Sequence, residues 1–162
     1  MSSSLPHQHI FRQLELQPEK GYLNSQELAN LGQYVGGLSE RIRVYRQLRE
    51  WEMNLMQELV DGLPGEVQND AEALEQSIKQ AVLILRYAAL GMLVDDANLG
   101  CRRLEGWLPT MVEVYQTQTV DALIHRALNQ HLLRSLTPVQ FALLQPALEA
   151  AQQLLYQSET KE

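Results

Sequence analysis

The strongest constraint on the fold is the spacing of the apolar residues, which recur at intervals of three and four through almost the whole chain. This spacing collects them on one side of an α-helix, whereas a half-buried strand alternates apolar and polar residues. No run of alternating β-branched residues occurs. The pattern therefore predicts an all-α fold, with about six to eight helices and no sheet.

Side chains that can cap a helix indicate where each predicted helix begins. The residues that precede the apolar patterns in this way are Asn24 or Ser25, Asp70, Thr119 and Thr137. The Gly36–Gly37 pair weakens the first helix, because glycine lowers helix propensity. We therefore expect a kink there or a break into two helices. A further helix is expected from about Trp51 to Val60.

Charge and cysteine content disfavour several classes of protein. The formal net charge of −7 disfavours binding to nucleic acid and to anionic membrane surfaces. The single cysteine, Cys101, excludes an intramolecular disulfide and a cysteine zinc cluster. The N-terminus lacks the pattern of a secretory signal, and the apolar residues 81–94 are too few for a membrane span. We expect a cytoplasmic protein without membrane insertion, nucleic acid or metal.

A guanidinium interrupts the most hydrophobic segment, QAVLILRYAALGMLVDD at residues 80–96, where Arg86 is surrounded by apolar residues. A charge in such a place must reach water, pair with a buried anion or hold a ligand. Lys79 lies seven residues earlier on the same helical face, about 10 Å away, so the two cations suit a ligand with two carboxylates. The alternative is an anion within the protein, such as Asp95, Asp96 or Glu113.

Three segments in this order resemble the phycobilisome proteins, the globin-like light-harvesting subunits of cyanobacteria such as allophycocyanin and phycocyanin. The segment GYLNSQELANLGQYVGGLSERI is similar to the start of the family's first globin helix, AVLILRYAALGMLVDDAN to its long central helix, and LEGW to its Leu-x-Gly step into the next helix. The resemblance implies a phycocyanin-like helical bundle over residues 21–157. It also implies an N-terminal helical extension, residues 1–20, partly disordered, and a disordered tail, residues 158–162.

The resemblance also indicates where a pigment would bind, and this sequence departs from the family there. Ser77 occupies the position of the cysteine that bonds to an open-chain tetrapyrrole, and a hydroxyl does not replace a thiolate nucleophile. Lys79 and Gln80 stand where the family has an arginine and an aspartate. The resemblance thus implies no covalent chromophore. A bilin bound without a covalent bond would contact Lys79, Gln80, Arg86, Tyr87, Trp107 and Tyr115.

Two further groups of residues have alternative interpretations. His125 and His131 are six residues apart and do not form a chelating pair, so a haem axial role is less favoured than a surface or partly buried position. His7 and His9 lie in the N-terminal tail. The two arginines after Cys101 could lower the pKa of its thiol, although nothing else indicates that this cysteine is catalytic.

Surface residues suggest contacts with other proteins. Arg43, Arg46 and Arg49 form either a solvated face with ion pairs or a docking surface for a partner. The resemblance places Phe11 and Leu14 in an extension that packs against a second subunit, which predicts a homodimer.

No nucleophile–base pair, phosphate loop or paired carboxylates are evident, so we expect no enzymatic activity and no catalytic residues. The resemblance favours an accessory binding protein that handles bilins without a covalent bond, with bilin-biosynthesis proteins among its partners. The alternatives are a colourless protein that binds phycobilisome subunits or their assembly or degradation factors, and a regulatory globin-like module.

Overall fold

The computed structural model describes residues 21–160, and this part of the chain consists of helices and turns without a strand. In this range the helices are α1 (Ser25–Asp61), α2 (Gly65–Gln68), α3 (Ala71–Leu93), α4 (Leu99–Leu104), α5 (Leu108–Tyr115), α6 (Gln118–Ser135), α7 (Pro138–Gln152) and a 3₁₀ helix (Gln153–Thr160). The all-α prediction is confirmed for these residues. The predicted roles of His7, His9, Phe11 and Leu14 lie outside the described residues.

Helix α1 is a single helix of 37 residues, so the expected division at Gly36–Gly37 is wrong. Glycine lowers helix propensity but, unlike proline, keeps its backbone N–H, so the ladder of hydrogen bonds passes through the pair. Asn24 begins the helix with a capping box. Its side chain accepts from the Glu27 N–H at 2.8 Å, and the Glu27 carboxylate accepts from the Asn24 N–H at 2.8 Å.

The other predicted helix starts are observed, with one difference. Asp70 caps α3, and Thr137 caps α7 through a second capping box with Gln140. The N-cap residue of α6 is Thr117, two residues before the expected Thr119. The reason is that the Asp121 N–H already donates to the Thr117 carbonyl at 2.8 Å, which closes the first turn earlier.

Helix α3 lies at the centre of the described bundle, in contact with α1, α4, α6 and α7. Its core-facing row is almost fully buried and consists of Ala81, Ile84, Leu85, Ala88, Ala89 and Met92. Small residues let the chain approach this helix closely. A Cβ atom at Gly91 would lie 2.6 Å from the Asp96 carbonyl oxygen, so only glycine fits where the chain turns after α3.

Candidate functional site

The anion that neutralises Arg86 is the carboxylate of Glu52, which α1 places in the core at 6% exposure. Arg86 donates from Nη2 to Glu52 Oε1 at 2.6 Å, and from Nε to Oε2 at 2.9 Å and to Oε1 at 3.1 Å. Arg49 Nη1 lies 3.7 Å from the same carboxylate. Hydrogen bonds and charge from Glu52 raise the pKa of Arg86. Arg86 therefore holds α3 against α1 in a bidentate ion pair.

None of the expected partners of Arg86 is the one observed. Asp95 pairs with Arg41 of α1 at 3.1 Å. The guanidinium of Arg41 also donates to the Met92 carbonyl at the end of α3. Asp96 pairs with Arg102 of α4 and accepts from the Asn98 N–H at 3.0 Å. The acidic corner after α3 therefore joins that helix to α1 and α4, because its carboxylates face residues of those helices.

Lys79 lies on the outer surface of α3, with its side chain 62% exposed. Its Nζ atom is 2.6 Å from Glu75 Oε1, one turn earlier on the same helix. Hydrogen bonding to Lys79 lowers the pKa of Glu75. Lys79 and Arg86 thus share an outward face, as their seven-residue spacing predicts, but each already contacts a carboxylate of its own chain.

The residues at the pigment-attachment positions face the opposite way, into the core. Ser77 and Gln80 are 0% and 2% exposed, and they meet Thr117 and Asp121 at the start of α6. Thr117 Oγ1 donates to Asp121 Oδ2 at 2.6 Å. The Gln80 amide, oriented with its nitrogen toward the carboxyl, donates to Asp121 Oδ1 at 3.0 Å and to Oδ2 at 3.1 Å.

In this buried polar cluster, the Asp121 carboxyl has hydrogen-bond partners but no ion-pair partner among residues 21–160. Burial raises the pKa of Asp121, and hydrogen bonding from Thr117 and then from Ser77 opposes the increase. The nearby Ser77 hydroxyl lowers the pKa of Asp121, although the contact falls outside the usual geometric limits of a hydrogen bond. A bilin edge cannot reach Ser77 or Gln80 without separating α3 from α6, because both side chains are covered.

The three aromatic residues of the expected bilin site lie on other parts of the bundle. Tyr87 is half-buried beside Gly100 of α4, where a Cβ atom would lie 3.5 Å from the Tyr87 Cβ. Trp107, at the start of α5, is 37% exposed, and Tyr115 is half-buried at its end. The expected site residues are therefore divided between the solvent face of α3, its contact with α6, and the α4–α5 region. They are not brought together around one cleft.

The expectation that His125 is a surface or partly buried residue is wrong, because it is 2% exposed. Gln152 Nε2 lies 3.0 Å from His125 Nδ1, and burial lowers the pKa of the imidazole to about 4. Gln152 and Asn129 also exchange two hydrogen bonds, of 2.9 and 3.1 Å. His131 is partly exposed, 3.4 Å from Glu58. Within residues 21–160 no three His, Cys, Asp or Glu side chains form a group that could hold a metal.

Cys101 is half-buried, and its thiol donates to the Ala150 carbonyl at 2.9 Å. Burial raises the pKa of this thiol, and Glu105 raises it further, whereas Arg102 opposes the increase. The expected lowering by the two following arginines is therefore wrong. The cost of desolvating a thiolate exceeds the attraction of a guanidinium that is already paired with Asp96.

Most of the exposed large apolar side chains of α1 lie in its N-terminal half. We call the row Leu28, Leu31, Val35, Leu38, Ile42 and Tyr45 the α1 stripe. Leu28, Val35 and Ile42 are 55%, 58% and 37% exposed, and the other three are half-buried. The buried residues of α1 begin only at Val44. The first five turns of α1 therefore carry an apolar row of which Leu28, Val35 and Ile42 are exposed, whereas Tyr45 packs against the described core.

The predicted basic stripe follows the α1 stripe on the same helix. Arg43 pairs with Glu40 at 3.0 Å, and its side chain is 70% exposed. Arg43 and Arg46 border a shallow surface depression of about 380 Å³, whose other lining residues are Ser39, Ile42, Gln47 and Glu50. The solvated, ion-paired interpretation therefore fits Arg43, and the docking interpretation stays a prediction.

No protein-family model and no curated protein matches this chain. Across residues 21–160, every helix is too short or too polar to cross a membrane.

Proposed function

We propose that this chain is a non-enzymatic, globin-like helical protein of the phycobilisome type that works by binding other proteins. It would be a colourless accessory factor for phycobilisome subunits or for proteins that assemble or degrade them. The observation that carries the proposal is the α1 stripe, in which Leu28, Val35 and Ile42 are exposed apolar side chains along one side of the helix. A continuous apolar row that stays in water is typical of an interaction surface.

The environments of the bilin-binding candidates favour this function over bilin handling. Arg86 is held by Glu52, Lys79 by Glu75, and Gln80 by Asp121. A bilin propionate would have to displace a carboxylate that already pairs with its cation, which removes most of the gain from a new ion pair. Bilin handling remains the second candidate because Lys79 and Arg86 share one exposed face of α3.

The test of partner binding is a titration of the immobilised full-length protein with purified allophycocyanin and phycocyanin. We expect saturable binding that Val35→Glu weakens at least tenfold, because a carboxylate within an apolar contact must be desolvated. Val114→Glu is the matched control, since Val114 is 66% exposed on α5, which packs against other helices than α1. Absence of binding, or equal weakening by both variants, would contradict the proposal.

An absorbance titration with biliverdin, phycocyanobilin and haem tests the second candidate. We expect no saturable spectral change with any of the three. A saturable change that Lys79→Ala weakens would instead favour bilin handling, because Lys79 is exposed and its substitution leaves the core unaltered.

A further inference from the structure

The shallow depression on α1 is lined mostly by groups that donate hydrogen bonds. These are the guanidiniums of Arg43 and Arg46, the Ser39 hydroxyl and the Gln47 amide. Glu50 is the acidic residue of the lining. Two positive charges thus face one negative charge, in a chain whose formal net charge is −7. The depression is therefore a basic site on an acidic protein.

The two arginines of the depression differ in their contacts. Arg43 pairs with Glu40 at 3.0 Å, three residues earlier on the same helix. Arg46 is exposed and forms no ion pair with any residue between 21 and 160. An exposed guanidinium is hydrated, and it presents a planar set of donors that matches a carboxylate. Arg46 is therefore the arginine of the basic stripe that can accept an anion without losing a described ion pair.

Arg49, one turn beyond Arg46, adds to the excess positive charge. Its Nη1 atom is 3.7 Å from Glu52, whereas Arg86 donates to the same carboxylate at 2.6 and 2.9 Å. One carboxylate cannot neutralise two guanidiniums, so a positive charge is left over. The side chain of Arg49 is 47% exposed, and its field reaches the solvent. The basic surface thus continues from the depression along α1.

Ile42 belongs both to the depression and to the α1 stripe. Arg46 follows it by four residues, which places the two side chains next to each other, about 6 Å apart along the helix axis. A partner segment that covers Val35 and Ile42 would therefore bring its next turn to Arg46. The depression lies at the end of the apolar surface that carries the proposed function.

We propose that this depression binds a carboxylate of an acidic, amphipathic segment of the partner protein, with Arg46 as the main contact. This inference rests on the proposed function and names the chemistry of the partner. The segment would carry apolar residues that cover the α1 stripe and, one turn further on, an aspartate or glutamate. A guanidinium donates two parallel hydrogen bonds to a carboxylate, which gives such a contact its specificity.

The residues of the depression favour a protein carboxylate over a phosphate group. Glu50 repels a phosphate dianion more strongly than a carboxylate, which has a single charge. The net charge of −7 opposes the approach of a polyanion such as nucleic acid. Ile42 offers an apolar contact next to the guanidinium, and a free anion makes no use of it.

Fluorescence anisotropy with labelled peptides and the full-length protein tests the partner's chemistry. One peptide carries leucines at three-and-four spacing with glutamates between them, and its two matched peptides carry glutamine or lysine in place of every glutamate. We expect the glutamate peptide to bind saturably and the glutamine peptide at least about fivefold more weakly. Absence of binding, or equal binding of the glutamate and glutamine peptides, would overturn the inference.

Charge reversal at Arg46 tests which residue makes the contact. Arg46→Glu should bind the lysine peptide more tightly than the glutamate peptide, a reversal that loss of structure does not produce. Arg126→Glu is the matched control, because Arg126 is exposed on α6 and its replacement changes the net charge by the same amount. Equal effects of the two variants would show that only the overall charge matters and would overturn the assignment to Arg46. Arg46→Gln repeats the test with a milder change.

The subunit titration separates this inference from the proposed function. Subunit binding that Val35→Glu weakens but Arg46→Glu does not would overturn only the carboxylate site. Binding of the glutamate peptide that depends on Arg46, without binding of any subunit, would support the carboxylate site and contradict the proposed function. If both hold, subunit binding should weaken with added salt, because exposed charges are screened.

Discussion

Replacement of Arg86 by alanine tests whether this residue is structural or binds a ligand. The substitution removes both nitrogen atoms that contact Glu52 and leaves that carboxylate in the core at 6% exposure. Breaking a buried pair from one side costs about 3–5 kcal/mol. The side chain of Arg86 is 46% exposed, however, and solvent screening weakens the pair.

The expected loss is therefore smaller, about 1.5–3 kcal/mol, the range of a hydrogen bond to a charged group. Arg49 stays 3.7 Å from the Glu52 carboxylate and offsets part of the charge. For a protein of this length, each kcal/mol corresponds to about 2–4 °C in Tm. We thus expect Arg86→Ala to lower Tm by about 3–12 °C. Adding Glu52→Gln should recover about 1 kcal/mol, because it removes the unpaired charge.

Urea unfolding and thermal melts, combined with the bilin titration, provide the measurement. Arg43→Ala is the control, because Arg43 forms an exposed ion pair on the same helix and its loss should cost under about 1 kcal/mol. If Arg86→Ala is as stable as Arg43→Ala but loses a bilin affinity that the wild type has, Arg86 binds a ligand and the structural assignment fails.

Three other predictions follow from single positions. Burial lowers the pKa of His125 from 6.5 to about 4. As the pH falls, the imidazole is protonated in the unfolded state before it is protonated in the folded state. The free energy of unfolding should therefore fall by about 3 kcal/mol between pH 6.5 and pH 4. In urea unfolding, His125→Gln should show a smaller decrease over the same pH range. Gly91→Ala should cost about 1–3 kcal/mol because its Cβ would lie 2.6 Å from the Asp96 oxygen, whereas Gly36→Ala, where a Cβ meets nothing within 4 Å, should gain about 0.5–1 kcal/mol in the same assay. Co-expression with bilin-synthesis enzymes and lyases should yield no zinc-fluorescent denatured band, because Ser77 is buried and carries no thiol; a fluorescent band would contradict this.

Local signals in the sequence were sufficient to predict where several helices begin. The capping residues Asn24, Asp70 and Thr137 act on backbone groups within three positions, so their effect depends little on the rest of the fold. The expected division at Gly36–Gly37 was wrong for a related reason. The low helix propensity of glycine means that the pair destabilises α1, but the helix continues through Gly36 and Gly37 despite this cost.

The partners of the polar side chains were beyond sequence reasoning. Arg86 and Glu52 are separated by 34 residues, and Gln80 and Thr117 by 37, so their contacts depend on how whole helices pack. A usable signal was nevertheless present. Glu52 interrupts the core row between Leu48 and Leu55, and a carboxylate in an apolar row needs a partner from another helix.

Arg86 on α3 and the α1 stripe both suggested a binding partner, but only Arg86 has a partner within the described structure. The charge in α3 that suggested a ligand has a partner in α1, since Glu52 lies in the core row of that helix and meets Arg86. Arg86 and Glu52 therefore account for each other without a ligand. The α1 stripe has no such explanation, because its side chains are apolar and the described core begins at Val44. Contact between water and the exposed members of that row is unfavourable, and a partner protein that binds along α1 would remove it.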